Sequence, residues 1–176
     1  MNIVFVRRNW KSLSRGNFVM GRGNSQIIAP CALGRSGMTS RKMEGDGATP
    51  IGCFGVLTVY FRPDRVARPI TTLPVHEISP DMGWSDGKTD RNYNKLVTLP
   101  YPSSHEILTR DDHLYDYMVV LDYNISTRKR GGGSAIFFHL AHPDFRPTEG
   151  CVAVEKSVMM QFLKRANSKT KFVIEQ

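Results

Sequence analysis

The sequence predicts a mostly β domain, a sandwich of two mixed β-sheets with one C-terminal helix. Three observations carry that expectation. Short apolar runs recur between clusters of Gly, Pro, Asn, Asp and Ser, the pattern of strands separated by turns. Only one stretch, Glu155 to Ala166, repeats at the helical period. Cys53 to Arg62 alternates like a strand but is apolar on both faces, so it needs cover on two sides.

In chain order, Asn2 to Val6, Asn17 to Met20 and Gln26 to Leu33 read as short strands, the last two joined by a Gly21-Arg22-Gly23 hairpin turn. Gly34 to Gly52 reads as a long loop that ends on the Thr49-Pro50 turn, and ordered loops of that length are usually functional. In Cys53 to Arg62, the pleat puts Phe54, Val56, Thr58 and Tyr60 on one face and Cys53, Leu57, Val59 and Phe61 on the other. Leu73 to Ile78 is a further short strand, and its His76 suits either the cleft or a structural role. Ser79 to Pro102 reads as a loop. It carries Trp84, Asp86, Tyr93 and Asn94, which suit gripping a peptide or sugar and equally suit fastening the loop to the body. Leu114 to Asn124 is a strong strand signal with Tyr115, Tyr117, Val119, Leu121 and Tyr123 on one face. Ser134 to Ala141 is a buried strand carrying His139. The helix follows, with Val158, Met159, Phe162, Leu163 and Ala166 in one stripe, Glu155 at its start and Lys164 and Arg165 at its end, as the helix dipole favours. Lys171 to Glu175 closes as a strand.

Length and charge bound the rest. At 176 residues the chain is most simply one domain, residues 1–176, large enough to bury about 70% of its unfolded surface. It has no apolar run of transmembrane length and no readable export signal. Residues 1–43 hold eight Lys or Arg and no Asp or Glu, so the whole net charge of +8 lies in that quarter. An anionic partner is implied, or else solvated strand faces. No nucleic-acid module is evident, and nucleic acid is not the expected partner. A monomer is expected. The three cysteines form no disulfide framework; Cys31 and Cys53 read as small core residues, with a Cys31–Cys53 bond left open in an oxidising compartment.

Chemistry concentrates between Gly131 and Val154. His139 lies near a strand end; His142-Pro143-Asp144-Phe145-Arg146-Pro147 cannot continue the strand, and the loop returns the chain to Thr148-Glu149-Gly150-Cys151. A thiol is a strong nucleophile only as thiolate, and a nearby imidazole can take its proton and later protonate a leaving amine. Main-chain N–H groups at Gly150 and Cys151 suit the oxyanion of a tetrahedral intermediate. Two other readings stand beside this one. Cys151 and His139 also fit a core thiol and a satisfied core imidazole, and His139, His142 and Cys151 are metal-type donors that lack a fourth ligand.

At these residues the sequence resembles the L,D-transpeptidases of the YkuD type, whose signature is a His, a loop and then Ser/Thr-His-Gly-Cys, with a Thr-Pro-x-Gly-x-Phe turn upstream. Here these are His139, Thr148-Glu149-Gly150-Cys151 and Thr49-Pro50-Ile51-Gly52-Cys53-Phe54. Gly83-Trp84-Ser85-Asp86, Tyr93-Asn94 and Gly133-Ser134-Ala135-Ile136-Phe137 are similar to segments of a compact Gram-negative branch. Glu149 replaces the second histidine, the His139–Cys151 loop is short for the family, and Val152-Ala153 departs from the usual pair after the cysteine.

The resemblance implies a thiol acyltransferase acting on peptidoglycan stem peptides in the periplasm or cell envelope. It would release terminal D-alanine from a tetrapeptide stem through a thioester and pass the acyl group to an amine, with no metal or organic cofactor. It implies Cys151 as nucleophile, His139 as base and acid, Gly150 in the oxyanion hole, and Trp84, Tyr93, Asn94 and Thr148 as substrate contacts. It also implies trapping by carbapenems. The alternatives are an L,D-carboxypeptidase, with water as acceptor, and a non-catalytic module that binds wall or another anionic envelope polymer through residues 1–43.

Overall fold

The computed structural model describes residues 2–176. Its strands are β1 (Ile3–Arg8), β2 (Arg15–Met20), β3 (Ile27–Ala32), β4 (Met38–Thr39), β5 (Thr49–Pro50), β6 (Gly52–Phe61) and β7 (Val75–Glu77). There follow β8 (Met82–Ser85), β9 (Leu96–Thr98), β10 (His105–Ile107), β11 (Tyr117–Leu121), β12 (Phe137–Leu140), β13 (Val152–Val154), the helix α1 (Lys156–Arg165) and β14 (Lys171–Glu175).

The chain is mostly β with one helix among the described residues, but the expected two-sheet sandwich is replaced by a closed sheet. The strand order is β11-β12-β13-β3-β2-β1-β14-β6, and β6 pairs back onto β11, with β7 added beside β6. Closure comes from the length of β6. Its first half, Gly52 to Gly55, pairs with β14, and its second half, Val56 to Phe61, pairs with β11. The sheet is mixed: β1 with β14, β12 with β13, and β6 with β7 run parallel.

A bulge sets which side chains enter the barrel. Val120 pairs with Thr58 and Leu121 with Val56, so Leu57 is an extra residue opposite β11. Parity flips there, and Val56 joins Val59 and Phe61 in the interior core rather than Thr58 and Tyr60 on the other face. The interior is filled by alternate residues of the eight ring strands together with Val158, Met159, Phe162, Leu163 and Ala166 of the helix. At its centre Phe138 stacks on Phe18 at 5.4 Å and meets Phe162 and Phe172 at 5.0 Å each. The predicted helical stripe is this contact.

The outer face of β11 and β12 carries a second core, in which Tyr60, Met118, Val120 and Phe137 pack under Ile78, Trp84 and Leu108. Its cover is a three-stranded sheet, β10-β8-β9, whose β8 and β9 lie in the 79–102 region expected to be loop. Three further expectations are corrected. Tyr115 precedes β11 and belongs to this outer core, because Asp112 accepts the Leu114 N–H (3.2 Å) and holds a turn that delays the strand. The strand carrying His139 begins at Phe137 instead of Ser134, because Gly133 and Ala135 have φ of 96° and 51°. Cys53 is exposed while Cys31 is in the interior core, and both are free thiols.

Candidate active site

Cys151 sits at the turn into β13, directly before Val152, which pairs in parallel with Phe138. The main chain of the preceding segment holds its thiol: Sγ accepts the Phe137 N–H at 3.3 Å and donates to Ala135 O at 3.2 Å. The turn itself is fixed from the other side. Thr148 bridges Gly34, its N–H donates to Leu33 O (2.9 Å), and its carbonyl accepts the Arg35 N–H (2.8 Å). The Thr148 hydroxyl donates to Cys151 O (2.6 Å) and accepts the Gly150 N–H (3.2 Å). Gly150 has φ +137°, and a Cβ there would stand 2.8 Å from Ala48 O, so the 34–48 segment can cross this turn only over a glycine.

His139 projects from β12 to the same outer side as Phe137 and is 5% exposed. Its Nδ1 lies 2.8 Å from Leu140 O, which can only accept. The proton therefore sits on Nδ1 and the lone pair on Nε2. The Tyr115 ring meets the imidazole edge-on at 5.3 Å, and the Tyr115 hydroxyl donates to Glu106 Oε1 at 2.5 Å. Arg110 lies over the other part of this assembly, 5.2 Å from the Tyr115 centroid, while its Nε and a terminal nitrogen grip Asp112 at 2.8 and 2.7 Å.

These surroundings set the resting charges. Burial pushes the His139 imidazole down to about 4. Burial, reinforced by the Glu106 carboxyl, pushes the Cys151 thiol up to about 12. The hydrogen-bonded Arg110 holds Asp112 down to about 2, whereas burial raises Glu106. Thiol and imidazole are therefore both uncharged at neutral pH. Among the described residues the thiol bonds to main-chain groups rather than to the ring.

Cys151, His139 and Thr148 line one cavity of about 540 Å³, together with Glu44, Glu106 and Arg110. Trp84, Tyr93 and Asn94 lie behind its wall, at 5%, 0% and 1% exposure. Trp84 Nε1–H donates to Asn94 Oδ1 (2.9 Å), which also accepts the Ala135 N–H (3.0 Å), and Asn94 Nδ2 reaches the carbonyls of Tyr123 and Asn124 (3.1 and 3.0 Å). Of the two uses read for these groups, fastening is the one their contacts display. Asn94 in particular captures Ala135 in its left-handed conformation, and with it the carbonyl that receives the thiol. Glu149 is exposed and paired with Arg35 at 2.9 Å. His76 is exposed and lies against Tyr60, apart from the cavity. Among the described residues, no three His, Cys, Asp or Glu side chains are grouped to hold a metal ion.

Glu44 and Glu106 carried no reading in the sequence, and Tyr115 and Ala135 were legible there only as parts of strands. Glu44 had a signal, being the first acidic residue after the basic quarter. Tyr115 had a misleading one, its parity with Tyr117.

The family profile described as the L,D-transpeptidase catalytic domain (YkuD) matches residues 5–174. No curated protein matches the sequence significantly. Similar solved structures include the helical cell shape determining protein Pgp2 from Campylobacter jejuni, with TM-score 0.48 and 14% identity over 99% of this chain and 48% of that one. Another is Mycobacterium tuberculosis L,D-transpeptidase 1, with TM-score 0.41 and 13% identity over 98% of this chain and 62% of that one. The chain thus spans about half to three-fifths of the length of these two proteins.

Proposed function

Because the chain belongs to the L,D-transpeptidase (YkuD) catalytic domain family, we propose that it is a cysteine-dependent acyltransferase acting on peptidoglycan stem peptides in the cell envelope. The observation that carries this reading is the opening of Cys151 and His139 onto one cavity, with Nδ1 committed to Leu140 and Nε2 left as the base.

The resting pair is neutral, so attack requires the thiol proton to leave Ala135 O and pass to Nε2 as the C–S bond forms. The imidazolium then protonates the leaving amine, terminal D-alanine in the case of a tetrapeptide stem, and a thioester remains on Cys151. The N–H groups of Cys151 and Gly150 are the candidate oxyanion donors. Through its hydroxyl Thr148 positions the Gly150 N–H directly and the Cys151 carbonyl beyond it, and Gly150 must exchange that bond for one to the oxyanion. Asn94, with Trp84 and Tyr93 around it, acts from behind by fixing Ala135 and hence the thiol. Arg7, Arg35 and Lys42 are paired with Glu175, Glu149 and Asp46, which leaves Arg8, Lys11, Arg15, Arg22 and Arg41 without an acidic partner among the described residues, dispersed as an anionic wall polymer would find them.

Release of D-alanine from a tetrapeptide stem tests the pair. Cys151→Ala should abolish turnover, and His139→Ala should lower it roughly 10²–10⁴-fold. Intact mass should show a stoichiometric carbapenem adduct on Cys151, with Cys31 and Cys53 unmodified. Turnover by Cys151→Ala, or an adduct on another cysteine, would remove Cys151 from this role.

A further inference from the structure

Transfer to an amine poses a proton problem that the Cys151–His139 pair does not solve. An amine acceptor arrives as ammonium at neutral pH and has no lone pair until a base takes one proton. A second proton must leave the same nitrogen as the amide forms. His139 can handle one of these, through Nε2, and the other needs a second acceptor in the cavity.

A second base stands in the same cavity. Glu44 is anchored at its main chain by Gly131 O (2.9 Å), and one carboxylate oxygen, Oε2, accepts both the Tyr93 hydroxyl (2.5 Å) and the Ser134 hydroxyl (2.6 Å). The other oxygen, Oε1, makes no hydrogen bond among the described residues, and Glu44 has no ion pair among them. Ser134 is next to Ala135, whose carbonyl holds the thiol, so the carboxylate lies one residue along the chain from the nucleophile's anchor. Of the other carboxylates lining the cavity, Glu106 accepts the Tyr115 hydroxyl and faces Arg110 at 3.8 Å, Glu149 is paired with Arg35, and the partnerless oxygen of Asp86 is buried away from solvent.

Resting on the acyl-transfer reading above, we infer that Glu44 Oε1 binds the acceptor as an ammonium ion and takes its first proton, so that the second half-reaction is directed to amines rather than water. The freed nitrogen attacks the thioester carbonyl, the N–C bond forms and the C–S bond breaks. The nitrogen's second proton passes through His139 to the sulfur. Products are the amide, the Cys151 thiol and protonated Glu44, which returns its proton to water. Tyr93 and Ser134 hold the carboxylate in place without occupying the oxygen that works.

The test follows the partition of the Cys151 acyl-enzyme, formed from a tetrapeptide donor, between amide and hydrolysed product. Each value is a ratio normalised to acyl-enzyme consumed, so changes in acylation cancel. The acceptors are isotopically labelled D-alanine, an ammonium at pH 7 whose amide is told from the donor by its label, and hydroxylamine, largely uncharged there. Glu44→Gln keeps an oxygen for the two hydroxyl donors, so the fold is retained. It should lower the amide-to-hydrolysis ratio with D-alanine at least about tenfold, leave the ratio with hydroxylamine unchanged, and Glu44→Asp should restore part of the loss. Equal losses with both acceptors, no loss, or a selective loss confined to Asp86→Asn overturns the assignment. Absence of any acyl-enzyme on wild-type Cys151 sinks the acyltransferase reading itself, and this inference with it.

Discussion

An imidazole held at about 4 and a thiol held at about 12 leave the candidate pair uncharged across the physiological range. For His139 this has a thermodynamic consequence. An unfolded histidine titrates near 6.5, so between about pH 6.5 and 4 the unfolded chain binds more protons than the folded one, and stability rises with pH across that window. The contribution is complete above 6.5 and is lost as the pH falls toward 4, about 3 kcal/mol in all. Urea unfolding at pH 4.5 and 7.5 should show a steeper loss in wild type than in His139→Gln; equal losses would mean that another group carries the slope. The thiol predicts an inversion of reactivity. Without substrate at pH 7, iodoacetamide should label exposed Cys53 at least about tenfold faster than buried Cys151, whose thiolate fraction is minute. Glu149, already bound to Arg35, should tolerate Glu149→Gln with only a modest change in turnover, and a loss matching that of His139→Ala would overturn this view.

Among the elements, the turn before β13 and the segment crossing it are the most constrained. Gly150→Ala forces a Cβ against Ala48 O at a φ that L-residues avoid, and should cost about 1–3 kcal/mol and most of the activity. Asn94→Ala strips partners from Trp84 Nε1 and the Ala135 N–H at once, and a loss of about 2–3 kcal/mol with reduced turnover is expected from denaturant midpoints and steady-state rates. A variant with full stability and normal rates would show that Ala135 holds its conformation unaided. How far the elements were legible follows from the same residues. The helix was, because five apolar side chains at helical spacing have no other use. The strands of the outer sheet were not: β9 and β10 are three residues long, and Gly83 within β8 weakens its pattern. Cys151 and His139 were legible as a pair of reactive types flanking turn residues, whereas Glu44 and Glu106 reach the cavity only through tertiary contacts.

At the scale of the molecule, the barrel and helix form one interior, and its centre is aromatic. Phe162 touches Phe18, Phe138 and Phe172, so Phe162→Ala should lower stability by about 3–5 kcal/mol in calorimetry or chemical denaturation, and a loss under 1 kcal/mol would mean that the helix is loosely docked. Closure of the ring was hidden from the sequence because it needs β6 to pair with β14 along its first half and with β11 along its second, and the Leu57 bulge that resets its parity appears only when β11 is placed opposite. That closure also has an order in time. The ring is incomplete until Lys171–Glu175 slots between β1 and β6, which joins the first strand of the chain to the last. Pairings so distant in sequence form slowly, after their loop-closure entropy has been met. During synthesis the segment holding Cys151 emerges before that final strand, so the thiol waits in water, open to oxidants, until the outer core packs over it.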